Sequence, residues 1–429
     1  MTAQSTTRAP TQHTDLPRPG EDPLLAAADP LEAAMKHVAD RALRPGEVGQ
    51  VGLELELHLV DFDRPELRPS WEDVCTLGRL LGPMPGGSSV TFEPGGQIEL
   101  STPVTSGLVD AVDLLRADTG ALRERLGSHG FGIAGLGTDP ARPPERVNPH
   151  LRYLAMEQHF DALGCAGAGR QMMTATAALQ VNLEAGPESG WADRLRLVRT
   201  LVPMLVALSS TSPWLGGHAS GWHSMRQGVW QDIDHGRSAP VPRGEPTTAW
   251  ATYALDAPVM LVRDGAALRP VTERIPFAQW LRGAAPFGRP PTLADLDYHL
   301  TTLFPPVRPR GYLELRCLDA LPERWWPAVA ASVVVLVDDP VAADAAAELC
   351  APIADSWETA ARHGLRDEAV RRAVSGCLEL AATHCPASLR AEVQVLAELV
   401  GSGSSPAEEL RRRIDQVGPL AVLEEEARA

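Results

Sequence analysis

The segment QVGLELELHLVDFD, residues 50–63, alternates between aliphatic and polar side chains with almost no error. Four leucines fall on one side of the alternation, whereas Glu54, Glu56 and His58 fall on the other. Successive side chains of a strand point to opposite faces, so the pattern predicts a β-strand with an apolar face and an acidic face. The two glutamates would lie about 7 Å apart along this strand, with no Lys or Arg between them to offset their repulsion.

Three later segments repeat this alternation: GGQIELST, ALQVNLEAG and GYLELRCLDA. Their polar sides carry Glu99, Gln180, Asn182, Glu314 and Arg316. Segments with helical spacing separate the four strands and can cover their apolar sides. The sequence therefore predicts an α+β fold in which a mainly antiparallel sheet has helices on one face and an open polar face on the other.

The segments between the strands have their own patterns. Helical spacing predicts helices over residues 24–43, 107–130, 190–212 and 324–349, and further helices in the last 75 residues. Residues 213–248 are rich in Trp, Gly, His and Pro, which favours a long ordered loop. Loops of that length within a compact domain are usually functional.

The chain is predicted to have three parts. Residues 1–23 are rich in Thr and Pro and predict a disordered leader that lacks the apolar stretch of a signal peptide. Residues 24–340 are predicted to form one main domain, since no convincing linker interrupts residues 45–340. Residues 341–429 are predicted to form a helical extension packed on that same domain.

Composition excludes several classes of partner. The net charge of −16, from 39 basic and 55 acidic residues, argues against nucleic acid, whose phosphates require basic patches. The longest apolar run, residues 325–337, is too short to span a membrane. The six cysteines form no CxxC pair, so they are interpreted as reduced thiols of a cytoplasmic protein.

The chain contains a single lysine, Lys36, which precedes any glycine-rich loop. A Walker-type loop, G-x-x-x-x-G-K-[ST], is therefore impossible, and the strand lysine of protein kinases has no equivalent. If the protein uses ATP, Mg²⁺ and arginine must hold the phosphates.

The acidic residues of the polar strand faces are candidates for a metal site. For any single strand, a solvent-exposed polar face is an alternative explanation. Exposed strands, however, usually mix acids with Lys, Arg or Thr, because like charges opposite each other destabilise a sheet. Crowded carboxylates either raise their pKa values or bind cations, and carboxylate oxygens suit Mg²⁺ or Mn²⁺. In TFEPGGQIEL, the Pro-Gly-Gly turn would deliver Glu93 and Glu99 to one site.

Two arginines are candidates for binding anions. Arg316 follows Glu314 by two residues, so it either forms a salt bridge with a glutamate or grips a phosphate or carboxylate, which its planar fork suits. Arg226 lies in GWHSMRQGVWQD between aromatic residues. It is predicted to be a loop arginine, which could grip a substrate carboxylate or could be an ordinary surface arginine.

The segments TFEPGGQIELST, TATAALQVNLEAG, HSMRQGVWQDID and HLTTLFPPVRPRGYLELRCLDA together resemble the glutamate–cysteine ligases of the plant and actinobacterial type. The similarity runs from about residue 48 to about residue 415 and is greatest to the ergothioneine-pathway branch. The resemblance implies a catalytic core similar to that of glutamine synthetase. Such a core has a curved, mainly antiparallel sheet, helices on its outer face and an open active-site funnel.

The resemblance also implies an activity. ATP, L-glutamate and L-cysteine would give γ-glutamylcysteine, ADP and phosphate by way of γ-glutamyl phosphate, for ergothioneine or another low-molecular-weight thiol. Two or three Mg²⁺ ions, or Mn²⁺, would assist. The enzyme would be a cytoplasmic monomer or homodimer without nucleic-acid or membrane partners. A ligase of the same fold with another amine acceptor, a related guanidino kinase and a non-catalytic metal-binding protein are the alternatives.

By position, the resemblance assigns roles to the candidate residues. It implies the metal ligands Glu54, Glu56, Glu93, Glu99 and Glu314. It places Arg316 and Glu314 near ATP, Gln180 and Asn182 at the glutamate site, and Arg226 on the substrate, with Arg316 and Arg226 as the catalytic residues. One departure from the plant pattern is Ala175, where the plant enzymes carry an arginine before the Q-V-N strand.

Overall fold

The computed structural model of the chain describes residues 22–265, 267–283 and 286–429. The predicted leader lies outside the described residues except for its last two positions, which begin the first helix. The strands are β1 (Val51–Asp61), β2 (Ser89–Phe92), β3 (Ile98–Ser101), β4 (Phe131–Ala134), β5 (Ala178–Leu183), β6 (Trp214–Leu215), β7 (His218–Ala219), β8 (Leu261–Asp264), β9 (Ala267–Pro270), β10 (Val307–Pro309) and β11 (Leu313–Asp319).

Helices make up most of the remaining chain. They are α1 (Pro23–Ala26), α2 (Pro30–Ala42), α3 (Trp71–Leu81), α4 (Leu108–Gly127), α5 (Leu151–Ala162), α6 (Ala166–Ala175), α7 (Trp191–Ser209), α8 (Met225–Asp232), α9 (His235–Ser238), α10 (Pro246–Asp256), α11 (Phe277–Leu281), α12 (Leu293–Leu300), α13 (Trp326–Asp338), α14 (Pro340–Cys350), α15 (Trp357–His363), α16 (Glu368–His384), α17 (Ala387–Gly401), α18 (Pro406–Val417) and α19 (Pro419–Arg428). In the described part of the chain, no helix combines the length and the apolar character needed to cross a bilayer.

A seven-stranded antiparallel sheet organises the fold, with the strand order β10-β11-β5-β1-β3-β2 and β4 paired with the far end of β1. All four predicted strands are in this sheet, which confirms the predicted fold class. The register aligns their polar residues: Glu54 lies opposite Gln180, and Asn182 lies opposite Glu314. Because side chains alternate, this register also places the aliphatic residues together on the other face.

The apolar face of the sheet is covered by helices. Helix α4 packs on β1 and β3, α7 packs on β11, and α13 packs on β5. Leu53, Leu55 and Leu57 of β1 are buried beneath them, and full burial of such a side chain stabilises a fold by roughly 1.5–3 kcal/mol. Helices therefore cover the apolar face of the sheet, and the opposite, polar face is left to line a cavity.

Several predicted boundaries differ from the structure. The predicted helix over residues 324–349 is two helices, because Asp339 caps α14 and Pro340 occupies its first position. The prediction of a long loop over residues 213–248 is wrong, since α8, α9 and the start of α10 lie within it. Ser224 caps α8 by accepting from the amide of Gln227, so a polar capping residue starts a helix in a segment of loop-like composition.

The C-terminal helices pack directly against the rest of the chain. Helices α16 and α17 contact α13, α19 contacts β4 and β1, and α15 contacts α8. The backbone carbonyl of Ala361 in α15 accepts hydrogen bonds from His223 N and Ser224 N, just before α8. Residues 341–429 thus help to hold α8, while the predicted domain boundary at residue 340 stays a prediction.

Candidate active site

The polar face of the sheet forms the floor of a cavity of about 300 Å³. Nearly all of the predicted site residues line it, namely Glu54, Glu56, Glu93, Glu99, Gln180, Arg226, Glu314 and Arg316. Asn182 is the exception. It lies beside the cavity lining and donates a hydrogen bond through Nδ2 to Oε1 of Glu54 at 3.0 Å.

The Glu-Pro-Gly-Gly turn brings Glu93 to this cavity. Glu93 N donates to the carbonyl of Gln97 at 2.9 Å, and Gly96 has a positive φ of 83°, which favours glycine. A Cβ on Gly95 would lie 2.2 Å from the carbonyl oxygen of Thr174. The turn therefore needs glycine at position 96 because of its backbone conformation, and at position 95 because a side chain would clash with Thr174.

Neutral groups hold the carboxylates of β1 and β3. Glu56 accepts hydrogen bonds from the amide of Ala178 at 2.8 Å and from Nε2 of Gln180 at 3.4 Å. Glu99 accepts from Oγ1 of Thr91 at 3.0 Å. Across the described ranges, no basic nitrogen lies within 4.0 Å of Glu54, Glu56, Glu93 or Glu99. These negative charges therefore lack paired cations.

Burial and mutual repulsion act together on three of these carboxyl groups. Burial and then the charges of Glu56 and Glu99 raise the pKa of Glu93 to about 8. Burial and then the charge of Glu99 raise the pKa of Glu56 to about 7. Burial, Glu99 and Glu314 likewise raise the pKa of Glu54. A proton or a cation at this site would relieve the unfavourable charge.

The donor chemistry of the cavity fits a hard divalent cation. Carboxylate oxygens are the protein ligands of Mg²⁺, which takes one or two carboxylates and completes its shell with water or substrate phosphates. Within the described residues, no three His, Cys, Asp or Glu side chains are already arranged to hold a metal ion. The carboxylates thus suit Mg²⁺ in kind, and the rest of its shell would come from water and ligand.

Glu314 differs from the other glutamates because arginines occupy its oxygens. Its side chain is 0% exposed, Arg308 forms a two-pronged contact with it, and Arg316 and Arg310 lie at 3.3 and 3.5 Å. Burial opposes ionisation, but Arg316 and Arg308 lower the pKa of Glu314 to about 2. In this arrangement Glu314 anchors arginines, so the predicted role as a metal ligand would require an arginine to leave.

Arg316 forms the salt bridge with Glu314 that was one of the two interpretations made from the sequence, and its binding of a phosphate or carboxylate ligand stays a prediction. Its Nη1 donates to Oε1 of Gln180 at 2.6 Å and to Oε1 of Glu314 at 3.3 Å. Burial alone would lower the pKa of Arg316, but Glu314, Glu56 and the other nearby glutamates raise it. Arg316 is therefore a firmly charged cation on the floor of the cavity.

Arg226 lies in the first turn of α8 and not, as predicted, in a loop. The residue is 2% exposed, and its Nη2 donates to the carbonyl of Arg316 at 2.9 Å. Its Nε and Nη1 are buried and have no hydrogen-bond partner among the described residues. Two unused donors on a cavity wall suit an anionic ligand.

Sequence reasoning missed three further arginines that line the cavity, Arg152, Arg308 and Arg310. The alternation V-R-P-R over residues 307–310 was an available signal for two of them, since in an extended segment it places Arg308, in β10, and Arg310, just after β10, on one side. Arg152 had no local signal. Its Nη1 and Nη2 donate to Oγ1 and to the carbonyl of Thr301, both at 3.1 Å, so neutral acceptors hold its charge in place.

Known proteins resemble this chain over most of its length. Residues 50–427 match the model of Glutamate-cysteine ligase family 2. The chain is 48% identical over 401 residues to glutamate–cysteine ligase EgtA of Mycolicibacterium smegmatis, covering 92% of this chain and 95% of that protein. It is 31% identical over 309 residues to the chloroplastic glutamate–cysteine ligase of Arabidopsis thaliana, covering 70% and 58%.

A solved structure gives the corresponding comparison of folds. The glutamate–cysteine ligase of Francisella tularensis in complex with AMP superposes with a TM-score of 0.51 at 13% identity, covering 90% of this chain and 88% of that chain. At this identity the similarity concerns the fold alone, and it agrees with the predicted glutamine synthetase-like class.

Proposed function

The chain belongs to Glutamate-cysteine ligase family 2, and on that premise we propose that it joins the γ-carboxylate of L-glutamate to the amine of L-cysteine at the expense of ATP. The product would be γ-glutamylcysteine. We propose ergothioneine, or another low-molecular-weight thiol, as the end of the pathway it serves. The observation that carries the proposal is the cavity in which unpaired glutamates lie beside arginines, among them Arg226 with two unused donors.

The proposed reaction explains why the cavity needs both carboxylates and arginines. A carboxylate does not condense with an amine at neutral pH, so the γ-carboxylate first attacks the γ-phosphorus of ATP and ADP leaves. The amine of cysteine then displaces phosphate from γ-glutamyl phosphate. The first step brings two anions together. We assign the role of offsetting that repulsion at the transferring phosphoryl group to Arg316, Arg308 and Arg310, which line the cavity.

Enzymes of this kind use ATP with a divalent metal, and the metal supplies charge neutralisation between phosphate and carboxylate oxygens. We assign its binding to Glu54, Glu56, Glu93 and Glu99, whose raised pKa values or unpaired charges favour a cation. The number of ions, two or three, stays part of this proposal, and so does their identity as Mg²⁺ or Mn²⁺.

Glu314 takes part in an exchange of partners. Its carboxylate is engaged by Arg308, Arg310 and Arg316. Phosphate is a strong bidentate acceptor for guanidinium, so ATP would draw one or more of these arginines away. The carboxylate of Glu314 would then be one more group able to hold the divalent metal.

The substrate glutamate has two carboxylates that need separate partners. The γ-carboxylate has to reach the phosphates beside Arg316. We assign the γ-end of glutamate to Arg226, which contacts the backbone of Arg316, and the α-carboxylate to Arg152. We assign to Gln180 and Asn182 the role of orienting the substrate glutamate. Their side chains already donate hydrogen bonds to Glu56 and Glu54 of β1.

Phosphate release with glutamate, cysteine and Mg-ATP tests the proposal. We expect release that depends on all three, and strong losses in Glu54→Ala and Glu314→Ala. A panel of other amino acids and ammonia as acceptors distinguishes a cysteine ligase from a ligase for another amine. Variants that turn over like wild type, or metal binding without phosphate release, would contradict the proposal.

A further inference from the structure

Asp319 is a buried carboxylate that the reaction itself does not use. It ends β11, three residues after Arg316, and is 1% exposed. Its Oδ2 accepts hydrogen bonds from Thr211 N at 3.0 Å and from Oγ of Ser212 at 2.6 Å, while its Oδ1 accepts from Oγ of Ser224 at 2.8 Å. All of these donors are neutral.

The two hydroxyl groups that donate to Asp319 also hold the start of α8. Oγ of Ser212 accepts from the backbone amide of Arg226 at 3.1 Å. Oγ of Ser224 caps the helix by accepting from Gln227 N at 3.4 Å. Two short relays therefore connect the carboxylate to the turn from which the Arg226 side chain enters the cavity.

The surroundings of this carboxylate leave it little freedom. A Cβ on Gly137 would lie 2.5 Å from Oδ2 of Asp319, so the backbone of Gly137 packs directly on the carboxylate. A buried anion without an ion-pair partner is costly. Neutral residues could serve as helix caps, so capping alone does not explain a charge here. Burial raises the pKa of Asp319, and the charge of Arg226, itself buried, is the largest of the effects that oppose this rise.

We propose that Asp319 is a positioning residue for Arg226: through Ser212 and Ser224 it fixes the first turn of α8, and thereby holds the buried guanidinium in the cavity ready for the glutamate carboxylate. The inference rests on the proposed function, because the ligand of Arg226 is the substrate glutamate. Asp319 itself touches no substrate. Its influence passes through the position of Arg226.

The test is a double-mutant cycle between Asp319→Asn and Arg226→Gln, with kcat and the KM values for glutamate and ATP measured separately. Asp319→Asn keeps the side-chain volume but replaces one acceptor oxygen with a donor amide, so that one of the two serine hydroxyls loses its acceptor. We expect it to lower kcat/KM for glutamate, by up to about 100-fold as for a misplaced binding group, with little change in the KM of ATP. In the Arg226→Gln background the same substitution should change kcat/KM by less than about twofold, because interacting residues are not additive.

A matched control separates positioning from general stability. Asp118 in α4 is also a 0% exposed carboxylate held by backbone amides, those of Gly86 and Ser88, and it does not line the cavity. Asp118→Asn should lower the melting temperature without raising the KM of glutamate. If Asp319→Asn does not fold, Ser212→Ala and Ser224→Ala carry the same test, since each removes one relay.

The outcomes are distinct. Equal losses from Asp319→Asn in the wild-type and Arg226→Gln backgrounds would overturn the inference, as would equal effects on the KM values of glutamate and ATP. A wild-type protein without ligase activity would overturn the proposed function and the inference together. An active wild-type protein with additive losses would overturn only the inference.

Discussion

Glu56 and Glu99 lie directly opposite each other on the neighbouring strands β1 and β3. Like charges in opposite positions destabilise an antiparallel pair, and no basic side chain among the described residues pairs with either of them. The sheet thus carries a local cost in stability at the floor of its cavity. A divalent cation bound there would relieve the repulsion between the two carboxylates, and this relief would add to the affinity of the site for the cation.

Removing one member of this pair should stabilise the metal-free protein. We expect Glu99→Gln in EDTA to raise the free energy of unfolding by about 0.2–1 kcal/mol, the range of cross-strand pair effects. The same variant should lose most of the stabilisation that Mg²⁺ gives wild type. Thermal unfolding with EDTA and with Mg²⁺ measures both. Glu348→Gln, on an exposed site of α14, is the control and should change neither value.

The metal-free protein should lose stability as pH rises towards about 8. The folded-state pKa values of Glu56, about 7, and of Glu93, about 8, lie above the ordinary value of 4.5. The folded state therefore binds protons that the unfolded state releases, a contribution fully present below pH 4.5 and lost as pH passes the folded-state values.

Urea unfolding between pH 5 and 9 in EDTA measures this slope. Glu93→Gln should flatten it, and saturating Mg²⁺ should stabilise wild type more at pH 8.5 than at pH 6. If Glu93→Gln leaves the pH dependence of the unfolding free energy unchanged, the pKa of Glu93 is not raised in the folded protein and the prediction is wrong.

Glu54 and Glu314 lie on the same polar face but should respond in opposite ways to neutralisation. Glu314→Gln breaks a buried cluster with Arg308 and Arg316 and should destabilise the metal-free protein by about 3–5 kcal/mol, the usual cost of removing one partner of a buried ion pair. Glu54→Gln removes an uncompensated charge and should be neutral or stabilising. Equal destabilisation in both variants, measured by urea unfolding, would contradict this division.

Arg152 should determine selectivity for the α-carboxylate of glutamate. We expect Arg152→Gln to raise the KM of glutamate about 10-fold or more, as loss of a charge-assisted bond of roughly 1.5–3 kcal/mol would. It should also reduce the preference for glutamate over 4-aminobutyrate, which lacks that carboxylate. Arg263 stacks on the same Tyr298 ring but does not line the cavity. Arg263→Gln should therefore keep the preference of wild type, and a preference that Arg152→Gln also keeps would rule the assignment out.

The sheet and most of its polar face were predictable from the sequence, because a period of two is a local property. Glu54, Glu56, Glu99 and Glu314 could each be placed on a face from their immediate neighbours. Helix α8 was not predicted, because the Trp and Gly content of residues 213–248 favoured a loop and the capping signal of Ser224 was a single residue.

Contacts between distant segments could not be predicted in this way. Arg152 enters the cavity through its contact with Thr301, 149 residues away. Asp319 holds Ser212 across 107 residues. Both relationships depend on how the sheet and helices assemble. The engagement of Glu314 by Arg308 is different, since the two residues face each other across the β10–β11 hairpin only six positions apart. The sequence analysis did not single out Arg308, so it suggested only a metal-ligand role for Glu314.

The transfer of oxygen from glutamate to phosphate tests the central claim most directly. The protein is given L-glutamate labelled with ¹⁸O in its γ-carboxylate, together with cysteine and Mg-ATP, and the inorganic phosphate is analysed by mass spectrometry. Activation by phosphoryl transfer predicts one ¹⁸O atom in each phosphate released and one γ-glutamylcysteine formed with it. Unlabelled phosphate, or phosphate without the dipeptide, would contradict the account.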